Sequence, residues 1–320
     1  VDTPTKGVYI AGCAESPKDV KDSVTQASAA AARAEILLNA PQIEVEAITA
    51  AVDPDTCKKC GQCADVCPFS AILWQKGQVA EIISAACAGC GTCAAECPFD
   101  AITMRHFTDQ QIYAQIDAIL ENGTQDKVVA FACNWCSYAG ADTAGTSRLQ
   151  YPPHAQLIRT MCSGRVKPDF VWYAFQHGAP IVLVSGCHYA DCHYINANRE
   201  TVRRVDALWE GLEKHGVRPE RLQIDWCSAA EGQKWARIMR EIEELREAVT
   251  AEEIEETREA LQSQRTPRVS KVWRLKEPVP ATMTCYRCGN EWEVTFDLAE
   301  DKERMCPACR SNSIRVVLTA

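Results

Sequence analysis

The 320-residue sequence contains no apolar run approaching the roughly 18 residues needed to cross a bilayer, which argues against direct membrane insertion. It lacks the basic segment and short apolar core of a secretory leader. No G-x-G-x-x-G, nucleophile elbow, phosphate loop or cleft of paired carboxylates is present, so no independent catalytic centre is evident. Basic side chains are in deficit, 34 Lys and Arg against 43 Asp and Glu, and the net charge is −9. Nucleic-acid binding wants the opposite balance, a basic stripe that displaces counterions. The sequence opens at Val1 without an initiator methionine, and we expect it to be the remaining part of a longer polypeptide.

What the sequence has in excess is cysteine, 19 residues, mostly in C-x2-C groups. Grouping of this kind, with no secretory leader, points to reduced thiolates holding metals in the cytoplasm rather than to a disulfide scaffold. Two copies of one unit lie 30 residues apart: Cys57-x2-Cys60-x2-Cys63-x3-Cys67-Pro68-Phe69 and Cys87-x2-Cys90-x2-Cys93-x3-Cys97-Pro98-Phe99, each followed by Ala-Ile. Short gaps with small residues (Gly61, Gly91) let three sulfurs of a run point inward. In duplicated runs of this type the fourth cysteine serves the other cluster. The pattern therefore predicts a bacterial-type double 4Fe–4S ferredoxin over 49–108. One cluster takes Cys57, Cys60, Cys63 and Cys97; the other takes Cys87, Cys90, Cys93 and Cys67. The alternative is a pair of zinc sites, which the Cys-Pro endings and the duplication disfavour.

Residues 125–265 read as an open parallel α/β domain. Strands are expected at 128–132, 157–161, 181–185 and 222–226, and one charged helical run is expected over 231–264. Cys133 and Cys136, Cys162, and Cys187 and Cys192 follow three of these strands. The carboxyl ends of parallel strands are where ligands collect. Four of these five thiols are enough for a 2Fe–2S cluster; a mononuclear zinc or unliganded buried thiols are the alternatives. His188 and His193 leave mixed Cys/His ligation open. Given the surplus of cysteines, they read better as supporting donors or packing. Arg148, Arg159 and Arg165 surround the same motifs, either as positive charge near a cluster or as solvated side chains.

The segments Phe131-Ala-Cys-Asn-Trp-Cys-Ser-Tyr-Ala-Gly-Ala-Asp142, Arg159-Thr-Met-Cys-Ser-Gly-Arg165, Gly186-Cys-His-Tyr-Ala-Asp-Cys-His-Tyr194 and Ser228-Ala-Ala-Glu-Gly232 resemble the iron–sulfur delta subunit of methyl-viologen-reducing hydrogenase. The opening Gly7-Val-Tyr-Ile-Ala-Gly-Cys-Ala-Glu-Ser-Pro-Lys-Asp19, with the double ferredoxin, resembles the carboxyl-terminal part of the A-type subunit of heterodisulfide reductase. The resemblance covers about residues 1–240. It implies a fusion in which the delta-like domain carries a 2Fe–2S cluster and passes electrons from a hydrogenase or formate dehydrogenase toward a flavin subunit that can bifurcate electron pairs. Cys227 departs from the pattern: an apolar residue is expected there, and at the end of the fourth strand it too could reach the crevice.

The same resemblance makes 1–48 the terminal strand and helix of a FAD-binding domain, with the strand at 7–12 and the helix at 22–38. Gly12, Cys13, Lys18 and Asp19 would lie at the FAD edge. Forty residues without a dinucleotide motif cannot hold FAD alone, so the flavin is expected to be shared with or supplied by a partner. The alternative is an amphipathic helix packed on the ferredoxin.

A Pro-bearing linker around 266–280 leads to a last unit, 281–320. Cys285-x2-Cys288 and Cys306-x2-Cys309 there are separated by 17 residues, and Trp292, Val294 and Phe296 alternate as in a strand. A structural zinc ribbon is expected, with rubredoxin-type iron as the alternative. Only Cys13 and Cys227 stay outside these groups. The reading is an electron-transfer subunit, cytoplasmic and membrane-associated only through partners. Its partners would be a heterodisulfide reductase-like flavin subunit and a hydrogenase or formate dehydrogenase type subunit. Alternatives are a subunit of a quinone-interacting or aromatic-ring reductase complex, a reductase with its own flavin, and a zinc scaffold.

Overall fold

The computed structural model describes residues 1–3, 7–41, 47–121, 123–268, 276–300 and 302–318, in two units, Val1–Glu46 and Ala47–Ala320. In the first unit helix α1 (Val20–Leu38) starts where the Asp19 carboxylate accepts the Asp22 N–H at 2.7 Å, an N-cap that satisfies one orphan donor. The strand expected at 7–12 does not form. A single antiparallel bridge joins Asp2 to Tyr9, and Gly12–Ala14 is a 3-10 turn. A strand needs a partner for its ladder, and the described residues of this unit supply only that one bridge.

The second unit opens with the duplicated cysteine module. Strands β1 (Ala50–Val52) and β4 (Ile102–Met104) pair antiparallel, as do β2 (Ile72–Leu73) and β3 (Glu81–Ile82). Each cysteine run ends in a short helix, α2 (Gln62–Asp65) and α3 (Thr92–Glu96). Gly61 and Gly91 precede these helices at φ 85° and 80°, the left-handed region that glycine enters without strain. The pseudo-symmetry reaches other left-handed positions, Lys59 with Gly89 and Ser70 with Asp100.

Helix α4 (Asp109–Leu120), begun by a Thr108/Gln111 capping box, leads into a four-stranded sheet. Its strands are β5 (Val128–Cys133), β6 (Ala155–Thr160), β7 (Ile181–Gly186) and β8 (Leu222–Trp226). They run parallel in the order β6-β5-β7-β8. Both faces are covered, as a parallel sheet requires. Val129, Phe131, Val182 and Val184 face a core with α4, α6 (Pro168–Gln176) and α7 (Ala197–Lys214). Their strand neighbours Val128, Ala130, Ile181 and Leu183 face α5 (Ser137–Thr146) and α8 (Gly232–Glu247).

The run expected as one helix over 231–264 is two, α8 and α9 (Ala251–Leu261). The break is chemical: Thr250 Oγ1 accepts the Glu253 N–H at 3.2 Å and starts a new helix. Part of the linker, 269–275, lies outside the described residues. The last module is a three-stranded antiparallel sheet of β9 (Val279–Cys285), β10 (Glu291–Phe296) and β11 (Ile314–Leu318), in the order β10-β9-β11. It covers the open edge of β8 with side chains instead of a strand. Ser313 Oγ accepts the Ile224 N–H at 3.1 Å and donates to Ile224 O at 2.9 Å. Asn312 Oδ1 accepts the Trp226 N–H at 3.2 Å, and Gln223 Nε2 donates to Tyr286 O at 2.8 Å. Arg304 pairs with buried Asp206, and Arg287 with Asp225 and Glu241.

Candidate metal centres

In the duplicated module the structure sorts the eight cysteines into two groups of four. Cys57, Cys60, Cys63 and Cys97 line one cavity, and Cys67, Cys87, Cys90 and Cys93 line a second. The fourth member of each group comes from the other run, because α2 and α3 carry the third cysteine inward while the chain turns away at Cys67 and Cys97. Backbone N–H groups meet the sulfurs: Lys59 donates to Cys57 at 3.4 Å, Ala101 to Cys97 at 3.3 Å and Ala50 to Cys87 at 3.5 Å. Such bonds favour the anionic sulfur. Burial acts the other way, pushing the Cys63 thiol up to about 11 and those of Cys90 and Cys93 upward. Sulfurs desolvated and crowded in this manner become thiolates against a bound cation, which is the chemistry of an iron–sulfur cluster.

The two groups differ in their surroundings. Over the first loop the Trp74 ring covers Gly61; over the second the aliphatic part of Arg165 covers Gly91. Cys60 is exposed, whereas Cys90 and Cys93 are buried. Cys90 packs with Cys162, Tyr194 and Ala197 in one apolar cluster, flanked by Phe69 and Cys192. The second loop therefore abuts the α/β domain.

There the strand order does what the sequence anticipated. From β5 the chain goes to β6 on one side and then crosses to β7 on the other, so the carboxyl ends of β5 and β7 diverge into a crevice. All five thiols converge on it. Cys133 Sγ lies 3.8 Å from Cys187 Sγ, and Cys136 Sγ lies 2.7 Å from Cys187 Sγ. Cys162 and Cys192 lie close enough to Cys133 and Cys187 to shift their titration, so the five thiols form one interacting group. Contact with the neighbouring thiols Cys162 and Cys187 holds the Cys192 thiol, and that of Cys133, below the usual range. Burial, with contact to Cys133 and Cys192, drives Cys162 upward, and contact with Cys133, Cys136 and Cys192 does the same to Cys187. Five neighbouring thiols in this crevice include the four sulfur donors that a binuclear iron–sulfur cluster needs.

Cys227 turns away from this group. Its Sγ faces Ser228 O and Glu231 O at 3.6 and 3.5 Å, under α5 where Gly140 leaves room for it. Neither histidine belongs to the group. His193 stacks on Trp135 at 3.9 Å between centroids, and both nitrogens of His188 are engaged, by Glu303 and by Glu231, at 2.9 Å each.

In the last module Cys285, Cys288, Cys306 and Cys309 offer four sulfurs within 4.8 Å of one another, with Cys285–Cys309 at 3.6 Å and Cys288–Cys306 at 3.7 Å. That spacing suits a tetrahedral four-thiolate site with metal–sulfur bonds of about 2.3 Å.

Among the residues expected at a flavin edge, the Gly12 N–H already donates to Gln26 Oε1 at 2.9 Å, and Lys18 Nζ donates to the same oxygen at 3.0 Å. Cys13 is exposed, and Asp19 is the cap of α1. No described residue of α1 is buried. These residues do not build an enclosing flavin site.

Comparison with known proteins agrees with this division. The family model of the methyl-viologen-reducing hydrogenase delta subunit matches residues 128–249, and that of the 4Fe-4S dicluster domain matches 50–104. The D-type iron-sulfur subunit of the vhc F420-non-reducing hydrogenase of Methanococcus voltae is 48% identical over 118 residues, 37% of this chain and 82% of that protein. The chain belongs to this delta-subunit family. Its relationship extends to the A-type subunit of a ferredoxin:CoB-CoM heterodisulfide reductase from Methanosarcina mazei, 46% identical over 249 residues, which are 77% of this chain. It is also 54% identical over 120 residues to the A-type subunit of the H2:CoB-CoM heterodisulfide,ferredoxin reductase of Methanothermobacter thermautotrophicus, 38% of this chain and 18% of that protein. The chain spans 31% of the length of the Methanosarcina relative. As a delta-subunit relative fused to a 4Fe–4S dicluster domain, it is an iron–sulfur protein of the electron-transfer kind. No described helix is long and apolar enough to cross a membrane.

One buried residue beside the cysteines is only half legible in the sequence. Arg165 groups there with Arg148 and Arg159, both of which are exposed. Arg165 is 1% exposed. Its guanidinium lies 5.1 Å from the Phe170 ring centroid and pairs with Asp109. The one signal for it is its place three residues after Cys162.

Proposed function

We propose that the chain relays electrons between a hydrogenase or formate dehydrogenase type donor and a heterodisulfide reductase-like flavin subunit that can bifurcate electron pairs. Cys57, Cys60, Cys63 and Cys97 would hold one 4Fe–4S cluster, and Cys87, Cys90, Cys93 and Cys67 the other. Four of the five strand-end thiols would hold the 2Fe–2S cluster, and Cys285, Cys288, Cys306 and Cys309 a structural zinc. The bound clusters supply one-electron redox chemistry, and zinc supplies none. FAD would be shared with or supplied by the partner, a reading supported by the absence of a dinucleotide motif from the sequence.

The observation that carries this reading is the apolar cluster that Cys90 and Cys162 share with Tyr194 and Ala197. It places the buried strand-end thiol Cys162 together with the buried second-loop thiol Cys90. Tyr194, Ala197 and Phe69 keep water from that junction, which lowers the reorganisation accompanying any change of charge. Beyond it the first loop reaches the surface at Cys60, beside exposed Phe99. The contacts thus run from the strand ends through the second loop to the first, with an outlet at Cys60. Direction and partners are assigned by likeness to the relatives.

Metal analysis of anaerobically prepared protein tests the proposal. About ten irons, acid-labile sulfide and one zinc per chain are expected from two cubane clusters, one binuclear cluster and the ribbon. Zinc alone would leave a scaffold, and stoichiometric FAD on the isolated chain would make it a self-contained reductase. Subunits recovered with the native complex distinguish the proposed partners from a quinone-interacting or aromatic-ring reductase.

A further inference from the structure

The delta-subunit match ends at residue 249 and the dicluster match at 104, so neither family model reaches the carboxyl-terminal ribbon. Its contacts do. The loop 187–192 carries two of the five strand-end thiols, and three elements hold it. Asn198 of α7 donates to Cys187 O and His188 O, both at 3.0 Å. Glu231, before α8, takes His188 Nε2 at 2.9 Å and the Ser228 N–H at 2.8 Å. The third hold comes from the ribbon. Glu303 Oε1 meets His188 Nδ1 at 2.9 Å, and Glu303 Oε2 accepts the Tyr189 N–H at 2.9 Å. One carboxylate therefore fixes both the side chain and the backbone immediately after Cys187.

Glu303 is itself held. Asn312 Nδ2 donates to it at 3.2 Å, and Arg304 beside it pairs with Asp206, which is fully buried in α7. Three residues on is Cys306, one of the four clustered ribbon sulfurs. A tetrahedral metal there fixes the backbone of 306 relative to 285, and through it the approach of Glu303. The geometry points to a brace: the ribbon and its metal hold the loop 187–192 in the shape the strand-end cluster requires, and Glu303 is the positioning residue that transmits this order. The inference rests on the binuclear cluster proposed above and adds a role for the ribbon that the electron-transfer reading does not need.

The test uses the full chain, prepared anaerobically, with Glu303→Ala, Glu303→Gln and Cys288→Ser, the last removing an exposed ribbon ligand. Glu303→Ala is expected to shift the midpoint potential and the reduced-state g-values of the binuclear cluster. The 4Fe–4S signals and the zinc content stay at wild-type level, which excludes general unfolding. Glu303→Gln retains an acceptor for the Tyr189 N–H and restores part of the wild-type spectrum. Cys288→Ser loses zinc and reproduces the Glu303→Ala spectrum. A wild-type spectrum and potential in Glu303→Ala would overturn the brace, as would an unchanged binuclear signal in zinc-free Cys288→Ser. A wild-type chain with 4Fe–4S signals and no binuclear signal would overturn the underlying cluster assignment, and the brace with it.

Discussion

The side chain of Arg165 lies along Gly91, so a residue three positions after Cys162 roofs the turn between Cys90 and Cys93. In the first repeat the module's own Trp74 fills the equivalent place. The duplication is thus asymmetric in charge: one cysteine loop is covered by an indole, the other by a buried cation.

A buried positive charge beside a redox centre stabilises its reduced form. Arg165→Gln is expected to make the potential of the cluster held by Cys67, Cys87, Cys90 and Cys93 more negative, on the order of 60 mV, the equivalent of about 1.4 kcal/mol for one electron. The cluster of Cys57, Cys60, Cys63 and Cys97 is the internal control and should not move. The fold should survive, because Lys167 keeps Asp109 paired at 2.8 Å. Redox titration followed by electron paramagnetic resonance reads both potentials, and equal shifts in the two would contradict the assignment.

Gly91 itself is constrained twice. An added methyl would overlap Arg165 Cδ, and φ at this position is 80°. Gly77 has φ 84° with open space around it. Gly77→Ala should therefore cost only the backbone strain of about 1–2 kcal/mol. Gly91→Ala should also displace Arg165 and reduce cluster content by up to four irons per chain. Iron analysis beside thermal unfolding of both variants separates the two effects.

At the strand ends Cys133, Cys162, Cys187 and Cys192 shift one another's titration, whereas Cys136 sits at the start of α5 and meets Cys187 at 2.7 Å. Cys136→Ser is expected to keep the visible absorption and circular dichroism of a binuclear cluster. Cys162→Ser or Cys192→Ser should abolish them and remove about two irons per chain. Loss of the chromophore in Cys136→Ser would instead place that thiol among the ligands.

Ser313 is buried and supplies both partners of an Ile224 backbone pair. Ser313→Ala leaves the buried Ile224 N–H without its acceptor, a loss of about 1–3 kcal/mol. A lowered midpoint of thermal unfolding with unchanged iron content is the expected result. An unaltered midpoint would mean that the ribbon contributes little to the stability of the sheet.

Legibility in the sequence follows the range of the interaction. The cysteine runs are readable because ligand spacing within a loop is local, and the crossing of Cys67 and Cys97 between cavities follows from the duplication. The strand-end thiols are readable because each follows an apolar run. The break at Thr250 escapes notice although Thr250 and Glu253 carry the start signal of a helix, since the charged periodicity runs on across it. The apolar stretch 7–12 looks like a strand because composition does not report whether a partner is present. Burial of Arg165, the turning away of Cys227 and the Ser313 contact with Ile224 depend on residues far apart along the chain or on packing across elements. No periodicity records them.

The manner in which β8 is finished has a consequence for how such chains diversify. A fifth strand would have locked the added module into the register of the sheet, so that losing it would bare a full ladder of donors and acceptors. Ser313, Asn312 and Tyr286 satisfy a few backbone and side-chain groups individually and leave β5 and β7 untouched. A lineage can therefore acquire or exchange this appendage without re-registering the sheet, whereas discarding it would free the loop 187–192 from Glu303.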